Sequence, residues 1–135
     1  MRILGLDYGS KRIGVALCDE MGIIAQGLAT IANKNQKHVI EEIARLIKTY
    51  SVEKIVIGYP IRLDGSEGIQ CEKISKFAQL LENTFSFPVI KWDETLTTKE
   101  AEEILIRANM RRQKRKTVVD KLAASLILQN YLDSQ

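Results

Sequence analysis

Arg2-Ile3-Leu4-Gly5-Leu6-Asp7-Tyr8, then Gly9-Ser10-Lys11, then Arg12-Ile13-Gly14-Val15-Ala16-Leu17-Cys18, opens the chain with two apolar runs around a turn. Runs of this length bounded by turn residues read as strands, and a short connection folds two of them into an antiparallel hairpin. Asp19-Glu20-Met21-Gly22 again has turn chemistry. Residues 23 to 31 are predicted to return as a third strand and complete a meander.

After the meander the period changes. Val39, Ile40, Ile43, Leu46, Ile47 and Tyr50 recur at helical spacing, which predicts an amphipathic helix over 37–50 with Glu41, Glu42 and Lys48 in water. Residues 54 to 58 form a short β-branched run of the kind found in buried parallel strands, and Pro60 helps to end it. Past Asp64-Gly65-Ser66 a second helix is expected to about residue 83, with Ile74, Phe77, Ala78 and Leu81 inward. A fifth strand follows over 88–92. Thr97 and Glu100 have capping-box spacing and predict a helix with Ala101, Ile104 and Leu105 inward, ending in a basic stretch. A last helix is predicted from 117 to about 132, burying Val119, Leu122, Ala123, Leu126 and Ile127 and using its alanines to approach a sheet closely.

The resulting order, β-β-β-α-β-α-β-α, is that of an α/β, RNase H-like fold: a five-stranded mixed sheet with helices on both faces. A length of 135 residues suits one such domain over 1–135. With 45% hydrophobic and 27% charged residues, the composition is that of a globular chain, and no apolar run approaches the roughly 18 residues of a membrane helix. The start lacks a secretory pattern, so a cytoplasmic location and no membrane partner are expected. Cys18 and Cys71 lack zinc-type or redox spacing and read as buried thiols. His38, the lone histidine, reads as a helix-surface residue without the serine elbow that a hydrolytic triad needs.

The net charge of +3 is unevenly spread. Arg107, Arg111, Arg112, Lys114, Arg115 and Lys116 crowd an acid-free stretch, and without these six of the 20 bases the remaining 14 face 17 acids. Clustered cations of this kind suit a polyanion, because they release counterions on meeting phosphates; a solvated loop is the alternative.

Asp7 ends an apolar strand expected to be central, so its carboxylate should coordinate a cation or accept strong hydrogen bonds. The Gly9-Ser10 turn offers the second role. At least one of Asp93 and Glu94 should project from the same sheet edge, unless both serve the following helix as turn or cap. Asp120 stands three residues after Thr117, which fits a capping box at the start of the last helix as well as a catalytic position. Taken together, Asp7, Glu94 and Asp120 could meet at one end of the sheet. Their oxygens suit Mg²⁺ or Mn²⁺, which support phosphodiester hydrolysis with water as nucleophile. Strands stand about 4.8 Å apart, so acids two strands apart begin roughly 10 Å from each other, and Glu94 must lean inward. Asp64 is the reserve ligand or a helix cap.

Gly5-Leu6-Asp7-Tyr8-Gly9-Ser10-Lys11-Arg12-Ile13-Gly14-Val15-Ala16, Gly58-Tyr59-Pro60, Leu63-Asp64-Gly65-Ser66-Glu67, Asp93-Glu94-Thr95-Leu96-Thr97-Thr98 and Asp120-Lys121-Leu122-Ala123-Ala124-Ser125 together resemble the YqgF (RuvX) family, in the expected order along nearly the whole chain. The resemblance implies an RNase H-like cytoplasmic nuclease that matures the 5′ end of the 16S ribosomal RNA precursor. The family is also described as Holliday junction resolvases, through similarity to RuvC. It further implies Asp7, Glu94 and Asp120 as catalytic acids and metal ligands. Thr95 occupies the family's usual arginine position, so a phosphate contact there would be absent or supplied by Arg62, Lys11 or Arg12.

Three functions follow as expectations. The first is a nuclease on structured nucleic acid, gripping the backbone through Lys11, Arg12, Arg62 and the basic stretch. The second is a ribosome-maturation or nucleic-acid-binding factor whose acids are structural. The third is a phosphate-binding turn like that of actin-like ATPases, which need two such domains. The substrate, an rRNA precursor or branched DNA, is not written in the residues; a junction resolvase would work as a homodimer with paired sites.

Overall fold

In this computed structural model the described residues are 2–61, 65, 67–93, 103–108 and 112–135, with only the backbone of 112–117. The elements are β1 (Arg2–Tyr8), β2 (Arg12–Cys18), β3 (Ala25–Ala32), α1 (Gln36–Tyr50), β4 (Val52–Tyr59), α2 (Ile69–Phe85), β5 (Val89–Asp93) and α3 (Arg112–Asp133). The sheet order is β3-β2-β1-β4-β5. β1 is antiparallel to β2 and parallel to β4, and β4 is parallel to β5. The expected mixed sheet therefore forms with β1 at its centre.

Strand alternation divides the apolar residues between two cores. Leu4, Leu6, Ile13, Val15, Ile55 and Ile57 point to the face covered by α1 and α2, where they meet Val39, Ile43, Ile74, Phe77 and Leu81. Ile3, Ala16, Cys18 and Val56 point the other way, against Ala124, Ile127, Leu128 and Tyr131 of α3. α1 starts where Asn35 accepts the His38 N–H at 2.8 Å. It stops at Ser51, whose left-handed backbone (φ 55°) returns an N–H to the Ile47 carbonyl. Both cysteines are buried thiols outside any disulfide, as expected.

α3 lies in a trough of small residues. Gly5, Ala16 and Gly27 stand in register across β1, β2 and β3. A Cβ at Gly5 would come within 2.7 Å of Leu128 Cβ, and one at Gly27 within 3.0 Å of Lys121 Cβ. The alanines of α3 thus meet glycines of the sheet, and the two backbones approach as closely as sterics allow.

Several expectations are corrected. The last helix begins at Arg112 rather than 117, so four of the clustered bases belong to its opening turns and Thr117-Asp120 is no capping box. That start carries no acid, against the preference of the helix macrodipole. The buried stripe of α3 is Ala123, Ala124, Ile127, Leu128 and Tyr131, while Val119, Leu122 and Leu126 are only partly buried. The glycine trough sets that rotation, because it admits the helix backbone along the Ala124 side. β3 begins at Ala25 because Asp19 Oδ1 accepts from Ile23 N at 2.7 Å and Ile24 N at 3.1 Å, which holds those two residues in the loop. Gln129 locks the junction, accepting from Ala25 N and donating to the Ile23 carbonyl, both at 2.9 Å. Helical residues at 103–107 bury Leu105, whereas Ile104 is exposed. The box at Thr97 and Glu100, and Ala101, lie outside the described residues. Among the described residues no helix is long and apolar enough to cross a membrane.

Candidate active site

β1, β4 and β5 run parallel, so their carboxyl ends share one edge of the sheet. Asp7 is the penultimate residue of β1. Ile3 and Gly5 face α3, and two residues further along Asp7 does the same, whereas Tyr8 turns to the other face and sets its ring 4.7 Å from that of Phe77. Asp7 is half-buried and stands opposite Gly14 of β2.

Gly14 brings Asp120 to this place. A Cβ there would lie 2.0 Å from the Asp120 carbonyl oxygen, 2.4 Å from its carbonyl carbon and 3.0 Å from its Cβ. Only a residue without a side chain lets α3 cross β2 at that point. The register partner of Asp7 is thus the residue on which Asp120 rests, and two of the three acids picked out in the sequence converge on one face. A glycine inside an otherwise β-branched strand is the sequence signal for such an approach.

Arg12 completes the cluster. It starts β2 on the same face as Gly14, and its Nε donates to Asp120 Oδ2 at 2.7 Å, with the arginine side chain 47% and the aspartate 17% exposed. The hairpin turn before it is tied down by hydrogen bonds. Gly9 N donates to the Arg12 carbonyl at 3.0 Å, while Asn33 donates through Nδ2 to the Gly9 carbonyl and through its backbone to the Lys11 carbonyl, both at 2.9 Å. Lys11 is held exposed on that turn.

α3 runs from Asp120 over Gly14, through Ala124 and Leu128 over Gly5, to Tyr131 beside Lys54, antiparallel to β1. Its opening turns therefore project beyond the edge at which Asp7 sits. At 1.5 Å per residue, Arg112 stands roughly 12 Å further along the axis than Asp120. The backbone positions of Arg112, Lys114, Arg115 and Lys116 overhang the acidic edge, and Arg107 is exposed in the helical stretch before them.

Asp93 ends β5 at the same edge, but alternation from Val89 and Lys91 places it on the α1/α2 face, away from Asp7. Glu94, Asp64, Arg62 and Arg111 lie outside the described residues. Among the described residues no three acidic, histidine or cysteine side chains converge on a metal-sized site. On the α1/α2 face Ser75 Oγ donates to the Tyr59 hydroxyl at 3.3 Å, and Lys91 Nζ sits 4.9 Å over the ring. The Ser75 bond favours ionisation, but burial and the Glu67 carboxylate outweigh it and raise the phenol above its ordinary 10.0.

The profile of the family described as "RuvX: Holliday junction resolvase" matches residues 1–134. A chain from Syntrophus aciditrophicus named "Putative pre-16S rRNA nuclease" is 66% identical over 134 residues, covering 99% of this chain and 89% of that one. A Bacillus subtilis chain of the same name is 51% identical over 136 residues, with 99% of each covered. Among solved structures, fowlpox virus resolvase in complex with Holliday junction DNA superposes with a TM-score of 0.64 at 16% identity, over 99% of this chain and 98% of that one. Thermus thermophilus RuvC with its Holliday junction substrate gives 0.55 at 15% identity, over 99% and 94%. At such identities the likeness is one of fold, and the fold is RNase H-like.

Proposed function

This chain belongs to the RuvX family, and from that membership together with the geometry at Asp7 and Asp120 we propose that it is a metal-dependent nuclease acting at the 5′ end of the 16S rRNA precursor in the cytoplasm. The observation that carries the reading is the pairing of the two acids through Gly14, beneath a helix end that carries four bases.

The donor set fits Mg²⁺ or Mn²⁺, because Asp7 and Asp120 offer hard carboxylate oxygens. Asp7 and Asp120 would hold the ion, with Glu94 as the third ligand. When bound, such ions polarise the scissile phosphoryl group and lower the pKa of attacking water. Around that centre the chain's own residues bind and orient. Lys11 and Arg12, beside the acids, neutralise phosphates there, and Arg62, Arg107, Arg111, Arg112, Lys114, Arg115 and Lys116 are the further cations offered to the nucleic-acid backbone. Such contacts ignore sequence, so selection falls to the shape of the folded substrate.

The relatives' shared name favours ribosomal precursor RNA, whereas the family's description favours a four-way DNA junction, which would require a homodimer with two centres. The test is incubation with Mg²⁺ or Mn²⁺ and both substrates, with Asp7→Asn as control. Cleavage is expected with the parent and lost in the variant, while binding persists. Equal metal-dependent cleavage by the two proteins would reject the assignment.

A further inference from the structure

The Arg12 guanidinium belongs by chemistry to a phosphate and by position to Asp120. A ligand-ready carboxylate and a phosphate-ready cation are bonded to each other at 2.7 Å, at the mouth of the site. Asp120 is largely buried at 17% exposure, so without Arg12 its charge would face a poorly solvated edge. Arg12 is 47% exposed, enough to turn outward from a backbone held in its turn by the Gly9 N–H and by Asn33 on its neighbour Lys11.

We propose that the Arg12–Asp120 ion pair is an internal stand-in for cation and substrate, so that divalent-ion binding at Asp120 frees Arg12 for phosphate and couples the two binding events. This rests on the reading of Asp120 as a metal ligand. Before loading, Arg12 supplies the positive charge that Asp120 needs. With a divalent ion bound at Asp120, the Arg12 guanidinium would be released and could take a phosphate oxygen with its full donor fork. By linkage each ligand strengthens the other by the same factor. A part-exposed ion pair sets that factor at about two- to fivefold. Arg12 is thus a positioning residue in the empty protein and a phosphate contact in the loaded one.

The experiment needs no turnover. Mn²⁺ affinity is measured by calorimetry on the parent, Arg12→Gln, Asp120→Asn and Lys34→Gln, the last removing the same charge from the loop before α1. Affinity for a cleavage-resistant phosphorothioate RNA duplex is measured with and without Mn²⁺ at constant ionic strength. R12Q is expected to bind Mn²⁺ about two- to fivefold more tightly than the parent, K34Q as the parent does, and D120N poorly. Mn²⁺ should strengthen duplex binding about two- to fivefold more in the parent than in R12Q. In the parent, the Arg12 Nε–H resonance should leave its hydrogen-bonded position as Mg²⁺ saturates, a readout independent of any variant's folding. Unchanged or weaker Mn²⁺ binding by R12Q, equal duplex enhancement in both proteins, or an Nε–H signal indifferent to Mg²⁺ would overturn the coupling while leaving the nuclease reading intact. Parent-like Mn²⁺ binding by D120N would remove the ligand assignment and the coupling with it.

Discussion

Gly14→Ala places one methyl group where the Asp120 carbonyl now sits, with 2.0 Å between the new carbon and that oxygen. Ordinary contact needs over 3 Å, so α3 must rise from β2 by about 1 Å at the residue that carries the carboxylate. Overpacking of this kind costs about 1–3 kcal/mol. With a urea m-value of about 1.5 kcal/mol/M for a chain this size, the midpoint should fall by about 1–2 M. The same rise separates Asp120 from Asp7, and a misplacement near 1 Å costs on the order of 10²-fold in turnover. Activity should therefore fall far more than the folded fraction, which stays near unity in buffer. Gly27→Ala is the graded comparison, because its new methyl would stand 3.0 Å from Lys121 Cβ and 3.3 Å from the Lys121 carbonyl oxygen, a far milder approach. Urea melts and metal-dependent cleavage are measured side by side. A G14A protein with the parent's midpoint and rate would show that α3 does not depend on this approach to place Asp120.

Other consequences are simpler to read. Gln129→Ala deprives the Ala25 amide and the Ile23 carbonyl of their partner at a solvent-accessible junction, so it should cost about 0.5–1.5 kcal/mol in a urea melt and raise amide exchange at the start of β3. Asp19 is held below its ordinary 3.8 by N–H groups of Ile23 and Ile24, so the folded loop prefers the carboxylate. The resulting stabilisation is present above 3.8 and lost as pH falls through the depressed value, so acid should speed Ile23 and Ile24 amide exchange in the parent and leave Asp19→Asn indifferent. Cys18 and Cys71 are about 1% exposed, so iodoacetamide should label both only at the rate of opening, rising steeply through the unfolding midpoint. Labelling of either at the speed of a free thiol in buffer would contradict their burial.

The sheet was readable from the sequence because its signals are local. The Gly9-Ser10 turn, the β-branched run ending at Gly58 and the stripe from Val39 to Leu46 each report on one element, and each lies where expected. The start of α3 was hidden by its composition: four bases among its first five residues suggest a solvated loop and oppose the macrodipole, yet the helix runs through them. Its rotation was hidden for another reason. The apolar residues alone favour a stripe through Leu122 and Leu126, and only the glycines of three strands select Ala124 and Leu128 instead. Asp7 and Asp120 were identifiable as residues. Their shared face required knowing what crosses Gly14, and the engagement of Arg12 by Asp120 spans 108 positions, beyond any local pattern.

That span has a consequence for how activity arises. The chemistry demands closure of a loop comprising most of the polypeptide, a step that topology makes slow relative to hairpin or single-helix formation. With Asp120 as the proposed ligand, a molecule that holds its sheet but has not docked the final helix would lack that acid at the edge and would not cut. On that proposal hydrolytic power would switch on only with the finished tertiary structure, so half-made or partly opened molecules would pose no threat to the RNA around them.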